Sequence, residues 1–238
     1  DYNEEQLSSI QARTKGSGDA GEIFVSTPIL TMADGGEINV SSLDGTGSGG
    51  SISIYASFID MQTHAAISAK STDTGQAGSL FIQTDDSISL HSSSITTESL
   101  DADGGNITLN TVDHLYLLDS QVTTSVQGGL GNGGNIDIDP CFVVLNNSQI
   151  IANAFEGNGG NIHIVSDYFL AGPESTVMAS SQLGIDGTVQ IDSPDTDISG
   201  QLSGLKTPDL DVTALLHTSC ALKIMDRSSS LIVTGRGG

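Results

Sequence analysis

Basic residues are scarce in this sequence. Its 238 residues include 7 Lys and Arg against 29 Asp and Glu, a formal net charge of −22. So few cations cannot neutralise a phosphate backbone or an anionic bilayer, which argues against nucleic-acid and membrane-surface binding. No run of eighteen apolar residues occurs, so no membrane-spanning helix is expected. Two cysteines, Cys141 and Cys220, are too few for a disulfide scaffold. They are compatible with one disulfide in an oxidising compartment or with two thiols. Trp is absent and aromatics are 4%. Apolar residues at 37% with charged residues at only 15% exclude a disordered polyelectrolyte. The chain starts at Asp1 with no signal-peptide pattern, and is expected to be a segment of something longer.

Glycine is plentiful, at 29 residues, and it is periodic. A Gly followed by an apolar–polar–apolar run recurs seven times. The copies are Gly21 to Val25, Gly50 to Ile54, Gly78 to Ile82, Gly105 to Leu109, Gly134 to Ile138, Gly160 to Ile164 and Gly187 to Ile191. The anchor glycines are separated by 29, 28, 27, 29, 26 and 27 residues. A near-constant period of this length is the mark of a solenoid.

Each repeat holds two more apolar segments. One begins eight to ten residues after the anchor, as in Phe58 to Met61 and Phe142 to Leu145. The other lies about sixteen residues after it, at Ile38, Ile67, Ile95, Val122, Ile150 and Val177. All three alternate with period two, and none sustains a 3.6 period. Gly, Ser, Asn and Asp fill the spaces, as turns require. Three strands per repeat predict a right-handed parallel β-helix. About 27 residues at roughly 3.3 Å each give a perimeter of roughly 90 Å, three sides with corners. Leucine-rich repeats need Leu-x-x-Leu-x-Leu with Asn at a fixed offset, a pattern absent here.

Alternation assigns faces. Ile52/Ile54, Leu80/Ile82, Ile107/Leu109, Ile136/Ile138 and Ile162/Ile164 are expected inside. Between them an outward column should run through Phe24, Ser53, Phe81, Thr108, Asp137, His163 and Gln190. The coils are expected over residues 1–205. Residues 206–238 break the repeat and are expected to form a cap. In it, Leu210, Val212, Leu215 and Leu216 have roughly helical spacing, and Ser228 to Thr234 reads as a strand. An end cap is what a solenoid needs.

The stretch Phe142 to Ile162, with its Asn146-Asn147-Ser148-Gln149-Ile150 and Gly157-Asn158-Gly159-Gly160-Asn161, resembles the C-terminal repeats of filamentous haemagglutinin-like exoproteins. So do Ser180 to Val189 and the ending Ser228 to Gly238. The specific match covers roughly residues 130–238; earlier coils match in repeat style. The resemblance implies a large β-helical adhesin, secreted by two-partner secretion through an outer-membrane transporter. Its location would be extracellular or on the bacterial cell surface. The family pattern has no Cys at the position of Cys141, so it implies no disulfide.

Parallel β-helices also carry lyases and glycosidases, with carboxylates or a basic residue and Ca²⁺ on an outer face. No Lys or Arg lies between Lys70 and Lys206, which argues against a lyase that binds uronates. Asp137 and Asp139, with Asp113 and Asp119, are the carboxylates a two-carboxylate glycosidase would draw on; as solubilising and turn residues they need no such role. Gly131 to Asp139 has the look of a Ca²⁺ nonapeptide, which requires tandem copies. The five histidines, His64, His91, His114, His163 and His217, have no zinc spacing. His163 is expected to pair with Asp137 of the previous coil. Asn39, Asn106 and Asn146 open formal glycosylation sequons.

The sequence therefore predicts a non-catalytic surface segment without cofactor or metal. It acts as a monomeric stiff rod that adheres to a host-cell, glycan or neighbouring-cell receptor. A polysaccharide-processing enzyme and a bare spacer on the same fold are the alternatives.

Overall fold

The computed structural model describes residues 8–194. Among the described residues there is no helix, and every strand pairing is parallel. The chain is a β-solenoid of about 7 turns. The predicted cap, with His217 and Cys220, lies outside the described residues.

A 7-stranded sheet forms one side. It stacks Ser9–Lys15, Glu37–Leu43, Ala66–Ser71, Ser94–Ser99, Gln121–Val126, Gln149–Asn153 and Thr176–Met178. The first of these precedes the first glycine anchor and was not legible in the repeat. Ser9–Lys15 has one large aliphatic residue, Ile10, and no preceding Gly motif.

The remaining strands share a 10-stranded sheet. In the first three coils, the first and second apolar segments run on as single strands, Ile23–Met32, Ile52–Gln62 and Leu80–His91. Later coils separate them, as Ile107–Thr111 and His114–Leu118, Ile136–Asp139 and Phe142–Asn146, and Ile162–Val165 and Tyr168–Ala171. Pro140 lies in one of these breaks, where its missing N–H cannot join the ladder. The third coil also holds an extra residue at this corner, which shifts the register between Ala56 and Phe58. The last described strand is Val189–Asp192.

The repeat register is the pairing register. Ile23, Ile52, Leu80, Ile107, Ile136, Ile162 and Val189 are successive partners. The five aliphatic pairs expected inside are all buried, at 2% exposure or less. Phe24, Ser53, Phe81, Thr108, Asp137, His163 and Gln190 form the outward column as expected. Ile38, Ile67, Ile95, Val122, Ile150 and Val177 align in the other sheet.

Close stacking explains the anchors. A Cβ on Gly134 would collide with the carbonyl of Gly105, and one on Gly160 with the carbonyl of Gly134. Buried threonines tie these corners down: Thr97 and Thr124 donate to the carbonyls of Gly105 and Gly134, at 2.8 and 2.7 Å.

Polar ladders run along the other corners. Asn106 Oδ1 accepts the N–H of Asn135, and Asn135 Oδ1 accepts that of Asn161, both at 2.9 Å. At the corner between the second and third segments, Ser92, Asp119 and Asn147 take left-handed φ values of 51°, 50° and 47°. Asn and Asp tolerate that region because their side chains hydrogen-bond locally. Each is followed by a buried serine. The Ser120 hydroxyl donates to the Leu118 carbonyl and accepts the Ser93 N–H, at 2.7 and 3.1 Å. Ser148 repeats this one coil on.

Candidate functional site

Five residues beyond each anchor glycine, the first segment presents a second outward column. Its members are Ser26, Tyr55, Gln83, Asn110 and Asp139 in register, continued by Val165 and its partner Asp192. All seven line a groove along the corner between the first and second segments. A volume of about 360 Å³ runs from Ser26 to Gln83, and one of about 640 Å³ from Gln83 to Asp192. Gln83 belongs to both, so the two parts adjoin at the third coil.

Its floor is hydroxylated. Thr84 donates to Thr111 and Thr111 to the Asp86 carbonyl, each at 2.6 Å. Ser166 also lines it, at 5% exposure, and its hydroxyl has no partner among the described residues. Tyr55 lines the narrower part, and no aromatic ring lines the wider one, though two follow lining residues there. Tyr55 lies 5.6 Å from Phe24 and 5.7 Å from Phe81, centroid to centroid. Phe142 and Tyr168 stack at 4.8 Å with planes 9° apart, directly after the lining residues Cys141 and Asp167.

Three carboxylates, Asp139, Asp167 and Asp192, line the wider part. His163 Nε2 is 3.1 Å from Asp192, and Gln190 Nε2 donates to the same carboxylate at 2.9 Å. These bonds, the one with His163 first, hold Asp192 below the usual carboxylate range. The Cys141 thiol donates to Asp167 at 3.2 Å. That bond, then burial, then the charges of Asp167 and Asp113 push its pKa up, which keeps it a thiol rather than a nucleophilic thiolate.

The carboxylates singled out in the sequence do not gather. Asp113 meets its neighbour His114 at 2.9 Å, and Asp119 accepts from Asn147 at 2.6 Å on another corner. Asp137 stays on the outward column, 3.9 Å from His163 Nδ1. The shorter partner of His163 is Asp192 of the following coil, not Asp137 of the preceding one. Of the four, Asp139 alone lines the groove. Asp167, Asp192 and Ser166 went unrecognised. The five-residue offset from the anchor was the signal that would have found Asp192, together with Tyr55 and Gln83.

In Gly131 to Asp139, the Asn side chains are committed to neighbouring coils. Asn132 donates through its backbone N–H and Nδ2 to Asp103, at 2.8 and 3.2 Å. Among the described residues, no three His, Cys, Asp or Glu side chains converge to hold a metal ion. Of the sequons, Asn39 is buried and donates to Ser68 at 2.7 Å, whereas Asn106 and Asn146 are exposed. No protein-family model, curated protein or solved structure matches the chain.

Proposed function

We propose that this chain is a non-catalytic adhesive segment of a secreted or surface-attached bacterial exoprotein of the filamentous haemagglutinin-like kind. The coils are right-handed and three-sided, the hand that parallel crossovers take almost without exception. The full-length protein leaves the cell through an outer-membrane transporter, and the segment acts as a monomer toward a cell or glycan receptor. One observation carries this reading: the seven anchors keep register from coil to coil. Among the described residues such a stack presents the same faces from coil to coil. That suits a stiff element held away from a surface.

The groove carboxylates keep a glycosidase as the second reading. Such an enzyme needs one carboxyl group raised in pKa to act as acid. The lowered Asp192 meets only the other requirement of such a pair, a carboxylate that stays ionised. The test couples adhesion to turnover. Beads coated with the protein should bind cells or immobilised glycans. The soluble protein should release no reducing ends from pectin, polygalacturonate, alginate or host glycans, with or without Ca²⁺. Turnover that disappears in Asp139→Asn or Asp192→Asn would overturn this reading.

A further inference from the structure

We infer that the corner groove is a binding site for an uncharged glycan chain lying along the coil axis. This rests on the adhesive reading and names its ligand class and contact surface.

Three observations carry it. The groove is long, its two parts adjoin at Gln83, and each coil adds one residue to its wall: Ser26, Tyr55, Gln83, Asn110, Asp139 and onward. A ligand that fills it is a polymer. Coils stack at roughly 4.8 Å, a step close to one pyranose ring.

The lining mixes what sugars need. Hydroxyls, amides and carboxylates bond sugar hydroxyls, while aromatic faces cover the ring C–H surface. Tyr55, 40% exposed, lines the narrower part with Phe24, 64% exposed, beside it; Phe142 and Tyr168, 37% and 36% exposed, directly follow the lining residues Cys141 and Asp167 of the wider part. The buried, unpartnered hydroxyl of Ser166 sits on the floor of the wider part, two residues before Tyr168, where a missing partner is a cost that a ligand hydroxyl relieves.

Charge selects the class. Asp85, Asp139, Asp167 and Asp192 line the groove, and no Lys or Arg lines it among the described residues. Uronate-rich, sulfated and phosphate-bearing polymers are repelled. Neutral glycans are not.

The test is calorimetric titration of the whole chain with di- and hexasaccharides of β-1,4-linked glucose, mannose and N-acetylglucosamine. Polygalacturonate, heparin and an extended peptide serve as contrasts. At least one neutral hexasaccharide should bind, more tightly than its disaccharide. Tyr55→Ala and Tyr168→Ala should each weaken binding about three- to tenfold, the value of an aromatic contact. Tyr55→Phe should bind as the wild type does, and circular dichroism should show each variant folded. Three results overturn the inference: no binding by any neutral hexasaccharide, affinity unaffected by both alanine variants, or preference for the polyanions or the peptide. If the beads adhere to cells while the groove binds no glycan, the inference fails and the adhesive reading stands. If the bound hexasaccharide is cleaved, the groove stands and the non-catalytic reading fails.

Discussion

At the scale of single residues, two neighbours in one strand have opposite fates. Ile136 is fully buried between Ile107 and Ile162, and Asp137 beside it faces out. Ile136→Lys places a charge in an aliphatic interior and should cost about 4–5 kcal/mol. Asp137→Lys should change stability by less than about 0.5 kcal/mol. Urea midpoints separate the two, and equal shifts would contradict the face assignment. Gly134 is a sharper case, because the carbonyl of Gly105 occupies the space a Cβ needs. Gly134→Ala should push the coils apart and cost about 1–3 kcal/mol in the same assay. A neutral result would mean that the anchors are turn residues only.

At the scale of elements, hydrogen-bond ladders hold each coil to the next where no strand pairs. Asn135 is the middle rung of one ladder: it takes the Asn106 side chain on one side and offers its own to Asn161 on the other. Asn135→Ala should cost about 0.5–1.5 kcal/mol, the value of one net hydrogen bond. The bond between His163 and Asp192 ties the sixth coil to the seventh. Because Asp192 is depressed in the folded state, its contribution is present above the ordinary aspartate value of about 3.9 and is lost as pH falls through the folded value. Over that acid range, wild-type urea midpoints should fall more steeply with decreasing pH than those of His163→Ala. Parallel pH profiles would remove His163 as the cause.

Legibility follows the same divide between repeated and local features. The coil register and the inner ladders were readable because stacking forces glycine or an aliphatic residue at one offset in every coil, and the chemically varied outward column through Asp137 followed from its alternation with those ladders. The fusion of two segments into Ile52–Gln62 was not, because it depends on whether one corner bends or breaks. The groove was half hidden for a related reason. Its wall varies chemically from Ser26 to Asp192, so only the offset from the anchor, not the residue type, repeats. The partners of His163 had to be seen, since both neighbouring coils offer an aspartate within reach.

At the scale of the whole molecule, the balance of charge dominates. The chain's net charge is −22, and the excess of carboxylates on the stacked coils repels itself. The ion pairs Lys15–Asp44 and Lys70–Glu98 lie in the first coils, and no Lys or Arg follows until Lys206. Thermal stability should therefore rise as salt goes from about 0.01 M to about 0.15 M, where the screening length falls from about 30 to about 8 Å. A melting temperature that falls over this range would mean that specific ion pairs outweigh the repulsion.

Every functional claim here depends on coils that stack in parallel, one repeat above the next. That is what draws Ser26 through Asp192 into one groove. The most direct test is a distance between spin labels at positions 53 and 190, in a Cys141→Ser, Cys220→Ser background. The two positions belong to one outward column, five coil steps apart. At roughly 4.8 Å per step, the stacked register predicts a narrow distribution centred near about 24 Å, widened only by the label arms. A broad distribution, or a mean far beyond that distance, would contradict the stack and the groove with it.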